Sequence, residues 1–146
     1  MDGMQDRREV FLIGATNRPD IVDPAILRPG RLDKVLFVDF PSPRDRADIL
    51  LKATKNRTHP RVSDDVSFDE LASSSRLEWF TGADLCALIH EASLIALRAR
   101  LSNNDPAIDS VGMEHFLKAL DKIVPSVSDT DRKKYLRLKE QFLPKQ

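Results

Sequence analysis

Cysteine is almost missing from this chain of 146 residues. The single Cys86 excludes an intramolecular disulfide, which fits a reducing compartment. Aromatic side chains make up only 6% of the sequence, with one tryptophan and one tyrosine. The formal net charge is zero, which argues against a dedicated nucleic-acid grip. Apolar runs are short, far below the roughly 20 residues that span a bilayer. Residues 1–9 contain Asp2, Asp6 and Glu9 and no apolar stretch, and do not read as a secretory leader. Glycine is also scarce, and none of the five glycines precedes a lysine. The phosphate-cradling pattern G-x-x-x-x-G-K-[ST] is therefore nowhere in the sequence. What is present is 41% apolar and 32% charged residues, enough for one or two small globular units.

The most informative stretch begins at Gly14-Ala15-Thr16-Asn17-Arg18-Pro19-Asp20. The apolar run Val10 to Ile13 before it reads as a buried strand. Asn17 then stands at the carboxyl tip of that strand, where ligands of open α/β sheets sit. Its amide can reach a phosphate oxygen and an attacking water together. Further on, Asp23 is placed to cap a short helix with Pro24 at its first position. Pro29 disfavours helical geometry at Arg28, and Gly30 lets the chain reverse. Arg28 and Arg31 are thereby expected on a rigid corner, presenting planar forks suited to phosphate oxygens.

The chain after this corner divides at Pro41-Ser42-Pro43. Lys34 to Phe40 reads as a second strand. Its apolar run ends at Asp39, but Phe40 follows where a water-orienting glutamate would be needed, so a magnesium role is disfavoured. Helices are predicted from Ser42 or Pro43 to about Thr54, Phe68 to about Ser73, Gly82 to about Leu101, Ser110 to about Val124, and from Ser128 or Asp129 onward. Thr81-Gly82-Ala83-Asp84 is a capping signal, and Leu85, Leu88, Ile89, Ala92, Ile95 and Ala96 form a wide inward stripe behind it. Residues 55–66, with His59 and Pro60, and residues 102–109 read as loops. Cys86 and His90 stand four apart on one helix, yet a structural zinc site needs four ligands, so no metal site is expected. Trp79, Phe80 and Phe68 are expected to close a small helical core. Asn56-Arg57-Thr58 matches a glycosylation triplet that has no secretory context.

The pattern ATNRPDxxDPAxLRPGRLD resembles the second region of homology of the classical AAA ATPases, and the likeness runs on to the C-terminus. It implies an α/β fragment, the end of a RecA-like parallel sheet core over residues 1–42. An all-α AAA lid with a C-terminal helix follows over residues 43–146. By the same resemblance Asn17 is sensor 1, and Arg28 and Arg31 are arginine fingers acting on a neighbouring subunit's ATP. Gly82 and Ala83 match the small pair that lets adenine and ribose approach a helix start. Ile49 matches an apolar position packing on adenine, while Ala53 departs from the polar contact frequent in the family. Met1-Asp2-Gly3 matches a segment just after the family's metal-binding strand. The chain is therefore expected to begin beyond the phosphate loop and that strand. ATP and Mg2+ would belong to the full-length parent, and none would be bound by these residues alone. The implied partners are other AAA subunits in a homo-hexameric ring and protein or pre-ribosomal substrate complexes, with neither membrane nor specific nucleic acid. Pro125-Ser126-Val127-Ser128 is typical of the p97-like branch. Leu85-Cys86-Ala87-Leu88-Ile89-His90-Glu91-Ala92-Ser93 resembles the second ATPase module of the nuclear valosin-containing-protein-like family. That branch implies a nuclear or nucleolar ATPase of ribosome biogenesis.

Overall fold

The computed structural model describes residues 11–55, 61–103 and 110–142. Five α-helices are found there: α1 (Pro43–Lys55), α2 (Phe68–Ser73), α3 (Gly82–Asn103), α4 (Met113–Leu120) and α5 (Asp129–Phe142). Short 3₁₀ turns cover Pro19–Ile21, Pro24–Leu27 and Ser75–Leu77. The chain separates into two compact units, one holding residues up to Val38 together with Asp129 onward, the other Asp39–Ser128.

The second unit is a helical body built around α3. Leu85, Leu88, Ile89, Ala92 and Ala96 are buried along one side of that helix. They meet Leu50 of α1, Leu71 of α2, Leu77 and Phe80 of the link, and Phe116, Ala119 and Leu120 of α4. The expected stripe is thus the core itself, and shedding water from it drives the unit together. Phe80 is buried, and Phe68 meets Phe116 edge-on at 6.0 Å between ring centroids. Trp79 packs instead edge-on against Phe40 at 5.5 Å, outside the main cluster.

Two helices start where local chemistry satisfies their first amides. Ser67 Oγ accepts from Glu70 N at 3.3 Å, opening α2. Thr81 and Asp84 exchange bonds at α3: Asp84 N donates to Thr81 Oγ1 at 3.2 Å, and Thr81 N donates to Asp84 Oδ2 at 2.8 Å. α4 begins later than the sequence suggests, at Met113 rather than Ser110. The reason is a parallel β-bridge between Val62 and Val111. Val111 N donates to Arg61 O at 2.8 Å, and Ser63 N donates to Val111 O at 3.1 Å, so that backbone is already committed. Asp65 Oδ2 then accepts from Met113 N at 3.0 Å, and His115 Nδ1 accepts from Gly112 N at 3.0 Å. α4 also ends early, at Leu120. The chain turns there, and Ile123 packs on the core.

Arg46 of α1 is buried. Its Nε and Nη2 donate to Ala72 O at 2.9 and 2.7 Å, and Nη1 donates to Pro41 O at 3.2 Å. The fork therefore caps the C-terminal end of α2 and fixes the approach to α1 at the same time. Burial pushes its pKa downward, partly offset by Glu78.

In the first unit, the sheet end expected over Val10–Ile13 and Lys34–Phe40 is not formed among the described residues. Phe11, Ile13, Leu36 and Val38 are 92%, 90%, 87% and 91% exposed. The physical reason is that a β-ladder is made by pairing with a neighbour, and apolar faces are covered only by a second layer. No strand pairing of either segment is found among the described residues. Val10, the Met1-Asp2-Gly3 match, His59, the Asn56-Arg57-Thr58 triplet and most of the loop expected over 102–109 lie outside the described residues. α5 closes the unit, with Lys139 Nζ 5.3 Å from the Phe37 ring centroid. No described helix is long and apolar enough to cross a membrane.

Leu88→Ala should destabilise the helical body by about 2–5 kcal/mol in urea unfolding, because the methyls it removes are fully buried. Leu117→Ala, half exposed on α4, should change stability by no more than about 0.5 kcal/mol.

Candidate functional site

The corner that carries the two arginines is built as its sequence dictates. Asp23 Oδ1 accepts from Ala25 N at 2.8 Å, opening the turn over Pro24–Leu27. Arg28 leaves that turn in an extended conformation, at φ −70° and ψ 151°, as expected before a proline. Gly30 takes φ +84°, in the left-handed region that suits glycine. Arg31 N donates to Arg28 O at 3.1 Å, and Leu32 N donates to Ile26 O at 3.0 Å, closing the corner.

Arg31 is half-buried, and its Nη1 donates to Ala25 O at 3.1 Å. Arg28 is exposed. Neither guanidinium is sealed inside the unit. Asn17 is also exposed, in a bend just before the first 3₁₀ turn. Its neighbours fix the backbone around it: Arg18 N donates to Thr16 Oγ1 at 2.9 Å. The Arg18 fork grips Asp20, with Nε to Oδ1 at 2.9 Å and Nη2 to Oδ2 at 3.0 Å. This contact with Arg18 holds the Asp20 carboxyl below its ordinary pKa.

Ile49, Gly82 and Ala83 belong to the helical unit. Ile49 is half-buried and packs against the core from α1. Gly82 is the first residue of α3, and Ala83 is exposed in its first turn. A Cβ added at Gly82 would meet nothing within 4 Å. The smallness of this position is therefore not required by the packing of the chain itself. The groove that α1 and α2 do form lies elsewhere. Its volume is about 340 Å³, and Leu51, Val66, Phe68, Asp48 and Asp69 are among its lining.

A feature that the sequence did not disclose lies directly beside Gly82 and Ala83. Asp84 is buried, and besides its bonds with Thr81 it accepts from Ser126 N at 3.2 Å and Ser126 Oγ at 3.1 Å. One carboxylate thus joins the start of α3 to the connector beyond α4. Burial opposes its charge, but the bonds from Thr81 and Ser126 outweigh that and hold its pKa below the ordinary 3.8. The capping pattern announced half of this arrangement. The Ser126 half has no local signal, being 42 residues away. Cys86 is free and partly exposed, and no group of three or more metal-ligating side chains occurs among the described residues.

Comparison with known proteins gives the class to which this chain belongs. Residues 1–40 match the family model described as ATPase family associated with various cellular activities (AAA), and residues 65–118 match the AAA+ lid domain. The chain belongs to the AAA family. It is 60% identical over 146 residues to protein mac-1 of Caenorhabditis elegans, covering all of this chain and 18% of that protein. It is 48% identical over 139 residues to nuclear valosin-containing protein-like of Mus musculus, covering 92% of this chain and 16% of that one. It is 44% identical over 164 residues to ribosome biogenesis ATPase RIX7 of Saccharomyces cerevisiae, covering 97% of this chain and 20% of that protein. The chain thus spans no more than about a fifth of the length of these relatives.

Asp84 sets a pH dependence. Its folded pKa lies below the unfolded one, so its contribution is complete above the unfolded value and is lost as pH falls through the folded value. Asp84→Asn should cost about 1–3 kcal/mol at neutral pH and flatten the loss of stability below the ordinary carboxylate range, read by thermal unfolding across pH.

Proposed function

We propose that this chain supplies the trigger and the hinge of an ATP-driven remodelling machine. In this reading residues 1–42 complete a RecA-like core whose phosphate loop and magnesium-binding strand lie outside these 146 residues. Asn17 acts as sensor 1, reporting on the γ-phosphate within its own subunit. Arg28 and Arg31 reach the ATP of the neighbouring subunit and stabilise charge that develops on the transferred phosphoryl group. Ile49, Gly82 and Ala83 receive the adenosine end, and the helical lid turns nucleotide state into motion. ATP and Mg2+ are the cofactors of the assembled parent, and other AAA subunits in a hexameric ring are its partners. The observation that carries this reading is the arginine corner. Its cap, its left-handed glycine and its inner hydrogen bond hold two guanidiniums on a fixed turn without burying either from a partner.

The printed names of two relatives, a nuclear valosin-containing-protein-like protein and a ribosome biogenesis ATPase, support a role in pre-ribosome remodelling in the nucleus or nucleolus. A second reading has its own support. No G-x-x-x-x-G-K-[ST] occurs in these 146 residues, which favours a non-catalytic lid and assembly module when they stand by themselves.

The 146-residue chain alone should turn over no ATP in a phosphate-release assay, and turnover that survives Arg28→Ala and Asn17→Ala would overturn the assigned roles. In a ring of the parent, Arg28→Ala should lower turnover by about 10³–10⁵, the range found for arginine fingers in GTPases. Gly82→Ala separates folding from nucleotide contact. It should raise the stability of the chain by about 0.4–1 kcal/mol, since the new methyl meets no neighbour. In the parent it should weaken ATP binding, and unchanged affinity would remove Gly82 from the adenosine site.

A further inference from the structure

The chain enters the helical unit through residues 39–42, and that entry is held from two directions. One is α1 itself. Asp45 Oδ2 accepts from Ser42 N at 3.1 Å and from Ser42 Oγ at 2.6 Å, and Arg46 Nη1 donates to Pro41 O at 3.2 Å. The other is the link that leads into α3, whose Trp79 meets the Phe40 ring edge-on at 5.5 Å.

Trp79 sits where the core does not demand it. Leu77 and Phe80 are buried in the main cluster, whereas Trp79 is half-buried and outside it. Phe80 N donates to Leu77 O at 3.1 Å, so the ring of Trp79 is carried on a turn anchored at both ends. Three residues further on, Gly82 opens α3, and a Cβ there would meet nothing within 4 Å. The ring at Trp79 and the open space at Gly82 thus share one short stretch of backbone.

We propose that Trp79 is a positioning residue that couples nucleotide at the start of α3 to the entry segment, through its contact with Phe40. This rests on the reading that gives the adenosine end to Gly82 and Ala83. The clasp has two states, with the Trp79 ring on Phe40 or turned to solvent, since both rings are half-buried. An edge-on aromatic pair favours the closed state by about two- to tenfold. Adenosine held at Gly82 and Ala83 stiffens the link and favours the closed clasp. By linkage the closed clasp favours adenosine by the same factor, so about tenfold bounds the effect on affinity. Nucleotide then biases the path of the chain into the unit without touching Trp79.

Two measurements test this. Trp79 is the one tryptophan of the chain, so its emission reports on the clasp directly. In the 146-residue chain, Phe40→Ala should shift that emission to the red and increase its quenching by acrylamide, with unchanged far-UV circular dichroism. Phe40→Tyr, which keeps an aromatic edge, should leave both near wild type. Emission and quenching unmoved by Phe40→Ala would overturn the clasp. The coupling is read in the full-length parent by hydrogen exchange, with and without a non-hydrolysable ATP analogue. Wild type should gain protection at residues 82–84 and at residues 39–42 together. Trp79→Ala should keep the first gain and lose the second, and bind the analogue about two- to tenfold more weakly. Trp79→Phe should restore both. If Trp79→Ala speeds exchange at residues 39–42 equally with and without the analogue, the contact is structural and the coupling is overturned. Wild-type protection at residues 82–84 with none at residues 39–42 would overturn the coupling alone. No protection at residues 82–84 would overturn the adenosine reading, and the coupling with it.

Discussion

The helical unit depends on burying one side of α3. Leu85, Leu88, Ile89, Ala92 and Ala96 give α1 and α4 something to pack on, and α2 packs in turn on α1. The polar groups then decide how the elements are registered around that helix. Arg46 spends its fork on two backbone carbonyls, and Asp84 spends its carboxylate on Thr81 and Ser126. These are charged groups taken out of water, and each is tolerable only because its hydrogen bonds are made. Apolar burial therefore supplies the driving force, and two buried charges supply the geometry.

The first unit follows a different logic. Its corner is held by local bonds between residues a few positions apart, from Asp23 to Leu32. Such a turn keeps its shape whether or not a sheet lies beside it. The extended segments on either side do not have that independence, and Phe11, Ile13, Leu36 and Val38 face solvent.

What could be read from sequence divides along the same line. The helix starts at Phe68 and Gly82 were legible because Ser67 and Thr81-Asp84 are local caps. The corner was legible because Pro24, Pro29 and Gly30 each constrain one backbone angle. The delayed start of α4 was not, since it follows from pairing between Val62 and Val111, far apart in sequence. Nor were the carbonyl partners of Arg46 or the link from Asp84 to Ser126, for the same reason. Trp79 was legible as a packing residue, but its partner Phe40 lies on the far side of the Pro41-Ser42-Pro43 break. The family itself was legible because a dense motif of prolines, arginines and aspartates leaves little room for chance.

The two arginines of the corner are mechanically unequal. Arg31 has given up part of its rotamer freedom to the Ala25 carbonyl, whereas Arg28 stands extended and exposed. Ordering a long cationic side chain costs up to about 2 kcal/mol. Arg31 has met part of that cost inside its own turn, so the two side chains differ in how much freedom each still has to lose.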